Sequence, residues 1–386
     1  MNDAPISTLA ARTVEETGIA VGVLFAQSGH MAVTEEAMLR GTLIAIDEIN
    51  GAGGIEGRML IPYIESPLDD HINYRDLATK LIVHDHVSAI FGCCSSASRK
   101  AVLPVVERHD TLLFYPSVYE GFEYSPNVIY SGPTPSQSVV PLLEYLFSTC
   151  GRKVFLIGSN YVFAREINRI TREFLEESEA IVAGELYLDF SPSAAQLRVA
   201  VEQVAKARAD LILSTVVGED TAALLNACNA HGIRASSTPV ATLTAGEGEL
   251  ARAVPRAREG VLTANPYFPA IDTPENRAFV ERYQQRYGLA EWPSMYAASA
   301  YSQVHLFALG VRQAGATDTG AVLAALQGAR LGTPHGEIVV DAENNHVSLQ
   351  PRIGRARPDG SFEIIWEAQS AVQPDPYLVS YNRHVR

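Results

Sequence analysis

The 386-residue chain is short of the features that would announce a reaction or a charged macromolecular target. Basic residues are outnumbered, 30 Lys and Arg against 44 Asp and Glu, which leaves a formal net charge of −14. With no basic stripe to neutralise phosphates, direct nucleic-acid binding is not expected. Cysteines number four (Cys93, Cys94, Cys150 and Cys228), and none stands in a C-x-x-C pair or beside histidines at zinc spacing. That argues against a zinc site or a disulfide framework and leaves buried, reduced thiols. No apolar run approaches the ~18 residues of a membrane helix, so no membrane insertion is expected. The opening residues mix Asp3, Arg12, Glu15 and Glu16 into the place where a signal peptide carries its apolar core. The expectation that follows is a cytoplasmic protein.

Signatures of cofactors and catalysis are equally scarce. The dense glycine cluster "GAGGIEG" at 51–57 follows a helical pattern, not a strand, and fits neither G-x-G-x-x-G nor a P-loop. It reads as a helix end and turn. His84 and His86 in "HDH" are spaced to splay onto different faces of a helix, and neither H-E-x-x-H nor G-x-S-x-G occurs. No cofactor, metal or catalytic residue is expected. Cys94 stands at a strand-to-helix junction, where a thiol can become reactive, but no base accompanies it. It reads as a pocket-lining thiol in a binding protein.

What the chain does have is a rhythm of short apolar run, turn and amphipathic stretch. "IAVGVLFA", "MLIPYIES", "VSAIFG" and "TLLFYP" read as strands, separated by helical stretches such as "TEEAMLRGTLIAIDEIN" and "SRKAVLPVVERHD". The rhythm restarts after the Pro- and Ser-rich junction "IYSGPTPSQ", with "KVFLIGSNY", "ADLILSTVVG" and "TPVATLTAG" among the strands. Two long helical stretches follow, roughly 274–287 and 293–314. The tail "HGEIVVD" and "QPRIGRARPDGSFEIIWEA" reads as antiparallel strands around a Pro-Asp-Gly turn. Alternation of this kind predicts two α/β lobes with parallel sheets flanked by helices.

Ligands of open parallel sheets sit beyond the carboxyl ends of the strands. The windows to inspect are therefore 93–98, 115–119, 159–163, 217–220 and 244–247. Ser95, Ser96 and Ser98 stand where "VSAIFG" stops and a helix starts. They can serve as caps, and the same helix end offers free N–H groups to a ligand oxygen. Arg99 and Lys100 in that first turn oppose the helix dipole, which requires that they pair elsewhere. Tyr115 and Tyr161 close strands in the two halves. With Ser96, Ser117 and Thr244 they form a hydroxyl-rich set without a charged anchor, suited to a small uncharged polar molecule. Cys94, Ser95, Val118 and Val217 complete the candidate lining.

At "RKAVLPVVERHDTLLFYPSVYEGFEYSPNVIYSGPTPSQ", "VFLIGSNYVFARE", "PYFPAIDTPENRAFV" and "NNHVSLQPRI" the chain resembles the amide and urea branch of the type I periplasmic-binding-protein family. The resemblance is nearest to its cytosolic amide receptor, which negatively regulates an aliphatic amidase operon. It implies a two-lobed fold with the ligand in the interlobe cleft. The first lobe would comprise 17–134 and about 268–340, and the second 135–267 and about 341–386. It also implies an amide or urea held by Ser96, Tyr115 and Ser117 from one lobe and by Tyr161 and Thr244 from the other. Cys94, Ser117, Val118 and Phe163 stand where the amide receptor has tyrosine, threonine, proline and tyrosine, which implies a larger or differently polar ligand than the simplest amide. In the regulatory version an RNA-binding antiterminator is sequestered until the ligand arrives. The alternative is the solute-binding component of an ABC transporter for urea, short amides or branched-chain amino acids. A homo-oligomer stays open.

Overall fold

The computed structural model describes residues 18–68 and 70–379. The charged opening segment and residue 17, the expected start of the first lobe, lie outside the described residues, as do 380–386 at the expected end of the second.

The first half alternates as its pattern predicts. Strands β1 (Ile19–Leu24), β2 (Leu60–Glu65), β3 (Ala89–Gly92), β4 (Leu112–Tyr115) and β5 (Val128–Tyr130) are interleaved with helices α1 (Ala32–Gly51), α2 (His71–Val83) and α3 (Ser96–Arg108). The strands form one parallel sheet in the order β2-β1-β3-β4-β5. β3 and β4 are buried throughout, which is why they read as unbroken apolar runs instead of alternating ones. Side chains of Asp70 and Ser95 cap α2 and α3.

The chain then crosses through a 3-10 turn, Pro135–Gln137, into α4 (Val139–Thr149) and a second alternation. Its members are β6 (Lys153–Ser159), α5 (Val162–Glu177), β7 (Ile181–Leu188), α6 (Ala194–Ala207), β8 (Leu211–Thr215), α7 (Glu219–Ala230) and β9 (Val240–Thr242). The short helices α8 (Glu247–Ala251) and α9 (Pro255–Arg258) lead to β10 (Leu262–Asn265).

A return to the first lobe follows with α10 (Pro274–Tyr287), α11 (Met295–Ala314) and α12 (Thr319–Leu326). Next comes a small antiparallel pair, β11 (Arg330–Thr333) with β12 (Gly336–Val339). α11 lies against α1 so closely that a Cβ on Gly41 would stand 2.1 Å from the Ala297 carbonyl oxygen. Residues 341–349 run beside β5, where Tyr130 bridges to His346, before the chain crosses to β13 (Arg352–Ala356) and β14 (Phe362–Glu367). The second sheet has the order β14-β13-β10-β9-β8-β6-β7, parallel except for β13 and β14. These two are joined by the expected Pro-Asp-Gly turn, with Gly360 at φ 93°. Strand β12, from "HGEIVVD", pairs with β11 and not with the terminal hairpin.

Candidate functional site

Within each lobe the strand order reverses at one point, between β1 and β3 in the first and between β6 and β8 in the second. Loops leaving the two strands at such a point run in opposite directions and open a crevice. Those loops carry Cys93, Cys94 and Ser95 in one lobe and Tyr161 and Val217 in the other, and the crevices face each other. Burial pushes the Tyr161 phenol well above its ordinary pKa, and Cys94, Tyr115 and Glu120 of the opposite lobe add to the rise. Tyr296, at the start of α11, is raised by burial and then by Glu249, Cys94, Tyr161 and Tyr115. One apolar cluster runs through Cys94, Val118, Val217 and Tyr296, with Tyr161 packed against it.

The helix-end serines divide the work. Ser95 is the cap, its Oγ accepting the Ser98 N–H at 3.1 Å. Ser96 is the first helical residue; its hydroxyl is buried and donates to the Glu120 carboxylate. One turn on, Arg99 is fully buried and pairs with Glu120 at 3.1 Å and Glu123 at 2.7 Å, while Lys100 reaches Glu123 at 3.2 Å. The Arg99 guanidinium also lies 4.8 Å from the Tyr115 ring centre and 4.6 Å from that of Tyr119. Two cations in the first turn are thus explained: they hold the acidic loop at 120–123 under the helix end. Glu120 thus lies directly behind Ser96 of the hydroxyl set, with its charge paired to Arg99.

The other hydroxyls are also tied to the protein. Tyr115 donates to the Cys94 carbonyl at 2.7 Å, and Thr244 Oγ1 donates to the Val216 carbonyl at 2.9 Å. Ser117 Oγ sits 3.8 Å from the Cys94 thiol. The Val217 N–H donates to Ser159 Oγ at 3.3 Å, fixing the loop after β8. Tyr161 occupies the cap position of α5, its ring against Phe163 and Phe190. Cys93 is not extended: at φ 69° it turns its thiol into the cluster around Tyr74, whereas Cys94 faces the cleft.

Sequence reasoning missed Glu120, Tyr296 and the contacts that shut the lobes. Thr34 Oγ1 donates across the cleft to Glu249 Oε1 at 2.6 Å. His30 stacks on Phe190 with ring centres 4.6 Å apart, and its Nδ1 lies 3.2 Å from Ser191 Oγ. Gly218, at φ 59°, passes so near that a Cβ there would stand 2.0 Å from the His30 carbonyl oxygen. Among the described residues no cluster of His, Cys, Asp and Glu suits a metal ion, and no helix is long and apolar enough to cross a membrane.

The sequence matches the periplasmic binding protein domain over residues 19–383. The chain belongs to the periplasmic binding protein family. Leu/Ile/Val-binding protein homolog 6 of Brucella melitensis is 22% identical over 354 residues, 89% of this chain and 88% of that protein. The solute-binding protein of an ABC transporter from Rhodopseudomonas palustris BisB5, solved with 3,4-dihydroxybenzoic acid, superposes with a TM-score of 0.83 at 18% identity, covering 93% of this chain and 99% of that one. The branched-chain amino acid binding protein LivJ of Streptococcus pneumoniae, solved with isoleucine, gives 0.80 at 20% identity, covering 92% and 100%. A partial match, 31% identical over 121 residues, ties 31% of the chain to 22% of a limonene hydroxylase from Geobacillus stearothermophilus. The fold is therefore the two-lobed periplasmic-binding-protein fold, and the relatives matched over most of their length are named as binding proteins, not enzymes.

Proposed function

We propose that this periplasmic binding protein is the solute-binding component of an ABC-type uptake system, and that its solute is urea or a short aliphatic amide. The observation that carries the ligand class is the charge around the cleft. The hydroxyls brought to the cleft, on Ser96, Tyr115 and Thr244, are neutral, and the carboxylate behind Ser96 is paired with Arg99. The Arg99 charge is spent on Glu120 and Glu123 and screened by the Tyr115 and Tyr119 rings. A free carboxylate entering here would find Arg99 and Lys100 already paired with Glu120 and Glu123, whereas a neutral amide meets hydroxyls and the first-turn N–H groups of α3. The transporter role is supported by the solute-binding proteins that share the fold.

Calorimetric titration with urea, acetamide, propionamide, butyramide and leucine tests the ligand class. Binding of urea or an amide with leucine silent is expected; leucine binding alone would overturn it.

A second reading keeps the ligand and moves the protein to the cytoplasm, as a sensor that sequesters an antiterminator. It is favoured by "YEGFEYSPN", the stretch shared with the amide receptor, which supplies Glu120 and Glu123 beneath the helix end. Fractionation of the native protein separates the two, since the uptake component must lie outside the cytoplasmic membrane.

A further inference from the structure

Three hydroxyl groups brought to the cleft have their hydrogens committed inside the protein: Ser96 to Glu120, Tyr115 to the Cys94 carbonyl, and Thr244 to the Val216 carbonyl. A hydroxyl has one hydrogen and two lone pairs. Each of these groups therefore has only lone pairs left for a ligand. Of the three, Ser96 is held by a charged group. Glu120 is an acceptor when ionised, and its other oxygen faces Arg99, which has only donors. Neither partner can reverse the direction of the bond.

We infer that Glu120 is a specificity-determining residue: by fixing Ser96 as a hydrogen-bond acceptor, it makes the cleft select ligands through their N–H donors and not through their carbonyl oxygen alone. This rests on the amide or urea reading and adds to it. Ser96 then receives a ligand N–H. The carbonyl oxygen is left to the free N–H groups at the start of α3. Primary amides and urea satisfy both sides, whereas a ketone of the same shape satisfies only one. An acceptor left facing a methyl group loses its hydrogen bond to water and gains none.

The test compares acetamide with acetone, which has the same size and carbonyl but no N–H, alongside urea. It uses calorimetry on wild type, Glu120→Gln and Ser96→Ala, with thermal melting as the check of folding. In Glu120→Gln the new carbonyl oxygen must face Arg99, so the new NH2 group faces Ser96 and turns the serine hydrogen toward the ligand. Wild type is expected to favour acetamide over acetone by at least about tenfold. Both variants are expected to lower that ratio while melting close to wild type, with Tyr115 and Thr244 keeping any preference that remains. A structural role for Glu120 would weaken both ligands together and leave the ratio unchanged. An unchanged ratio in Glu120→Gln, or an acetone affinity matching acetamide in wild type, overturns the inference and leaves the amide reading in place. Wild type silent to both acetamide and urea overturns the reading and the inference together. Should Glu120→Gln fail to fold, Ser96→Ala decides: a ratio kept at the wild-type value overturns the inference.

Discussion

Thr34→Val is the cleanest perturbation of lobe closure, because it removes one hydrogen bond and preserves shape. Thr34 on α1 donates to Glu249 on α8 at 2.6 Å, and the other Glu249 oxygen accepts the Gly246 N–H at 3.0 Å. Burial raises the Glu249 pKa, and the bonds from Thr34 and Gly246 oppose that rise. When the lobes part, the carboxylate gains water and the threonine loses its partner, so the bond contributes to the closed state alone. A hydrogen bond to a charged group contributes ~1.5–3 kcal/mol, and ~2 kcal/mol corresponds to roughly 30-fold in the closing equilibrium. Where that factor appears depends on the starting population. If the ligand-free protein is mostly open, the whole ~30-fold weakening falls on ligand affinity; if it is mostly closed, the apparent affinity barely moves but the free protein opens. Calorimetry with the cognate amide and small-angle scattering of the ligand-free protein therefore form a pair. One of the two must change. Wild-type affinity together with an unchanged scattering profile would refute the latch.

Gly218→Ala meets the His30 carbonyl at 2.0 Å and adopts a positive φ, so it is expected to hold the lobes apart without unfolding either sheet; scattering should show no compaction on ligand addition, and normal compaction would count against the closed geometry. Arg99→Met leaves Glu120 and Glu123 buried beside the helix end with only the half-exposed Lys100 to face them, and a loss of up to about 3–5 kcal/mol in chemical denaturation is expected; a loss below about 1 kcal/mol would mean that the loop simply hydrates. Burial pushes the Glu247 carboxyl up to about 8, with Glu249 adding to the shift. Its folded pKa thus lies above the unfolded value, so its stabilising contribution is complete below about pH 4 and is lost as pH rises toward 8. Glu247→Gln should flatten that part of the stability–pH curve and make the protein the more stable one at pH 8; an unaltered slope would refute the burial argument.

The parallel sheets were legible because β1, β3, β4, β6 and β8 carry apolar runs long enough to stand out between helical stretches. Strand β5 was not, since three residues at a sheet edge cannot display an alternation. The helix end at Ser95 and Ser96 was readable from capping chemistry, and the misplaced charges of Arg99 and Lys100 showed that an acidic partner had to exist. Nothing local showed which one. Glu120 and Glu123 lie in an irregular segment that has no periodicity to read, and their role depends on a contact across more than 20 residues of chain. Tyr296 reaches the cleft from a helix that returns to the first lobe only after the second is complete, and its hydroxyl donates to the Thr244 carbonyl at 3.1 Å. Tyr115 and Thr244 were identified by position, but sequence could not show that their hydrogens were already committed to main-chain carbonyls.

The size of the ligand limits how the lobes can be balanced. A molecule of four heavy atoms supplies at most ~1.5 kcal/mol per atom, about 6 kcal/mol in all. Driving a two-state equilibrium from 1:99 to 99:1 takes about 5.5 kcal/mol of differential affinity. A ligand this small cannot close a strongly open protein and still be held tightly, because closure would consume nearly all it offers. The direct contacts between lobes must therefore carry much of the cost: Thr34 with Glu249, His30 with Phe190, and the close passage at Gly218. Such contacts are needed most where the solute is smallest. The ligand-free protein should accordingly lie near balance between open and closed, and scattering without ligand should fit a mixture. A fully open profile combined with micromolar acetamide affinity would contradict this arithmetic and would point to a larger ligand.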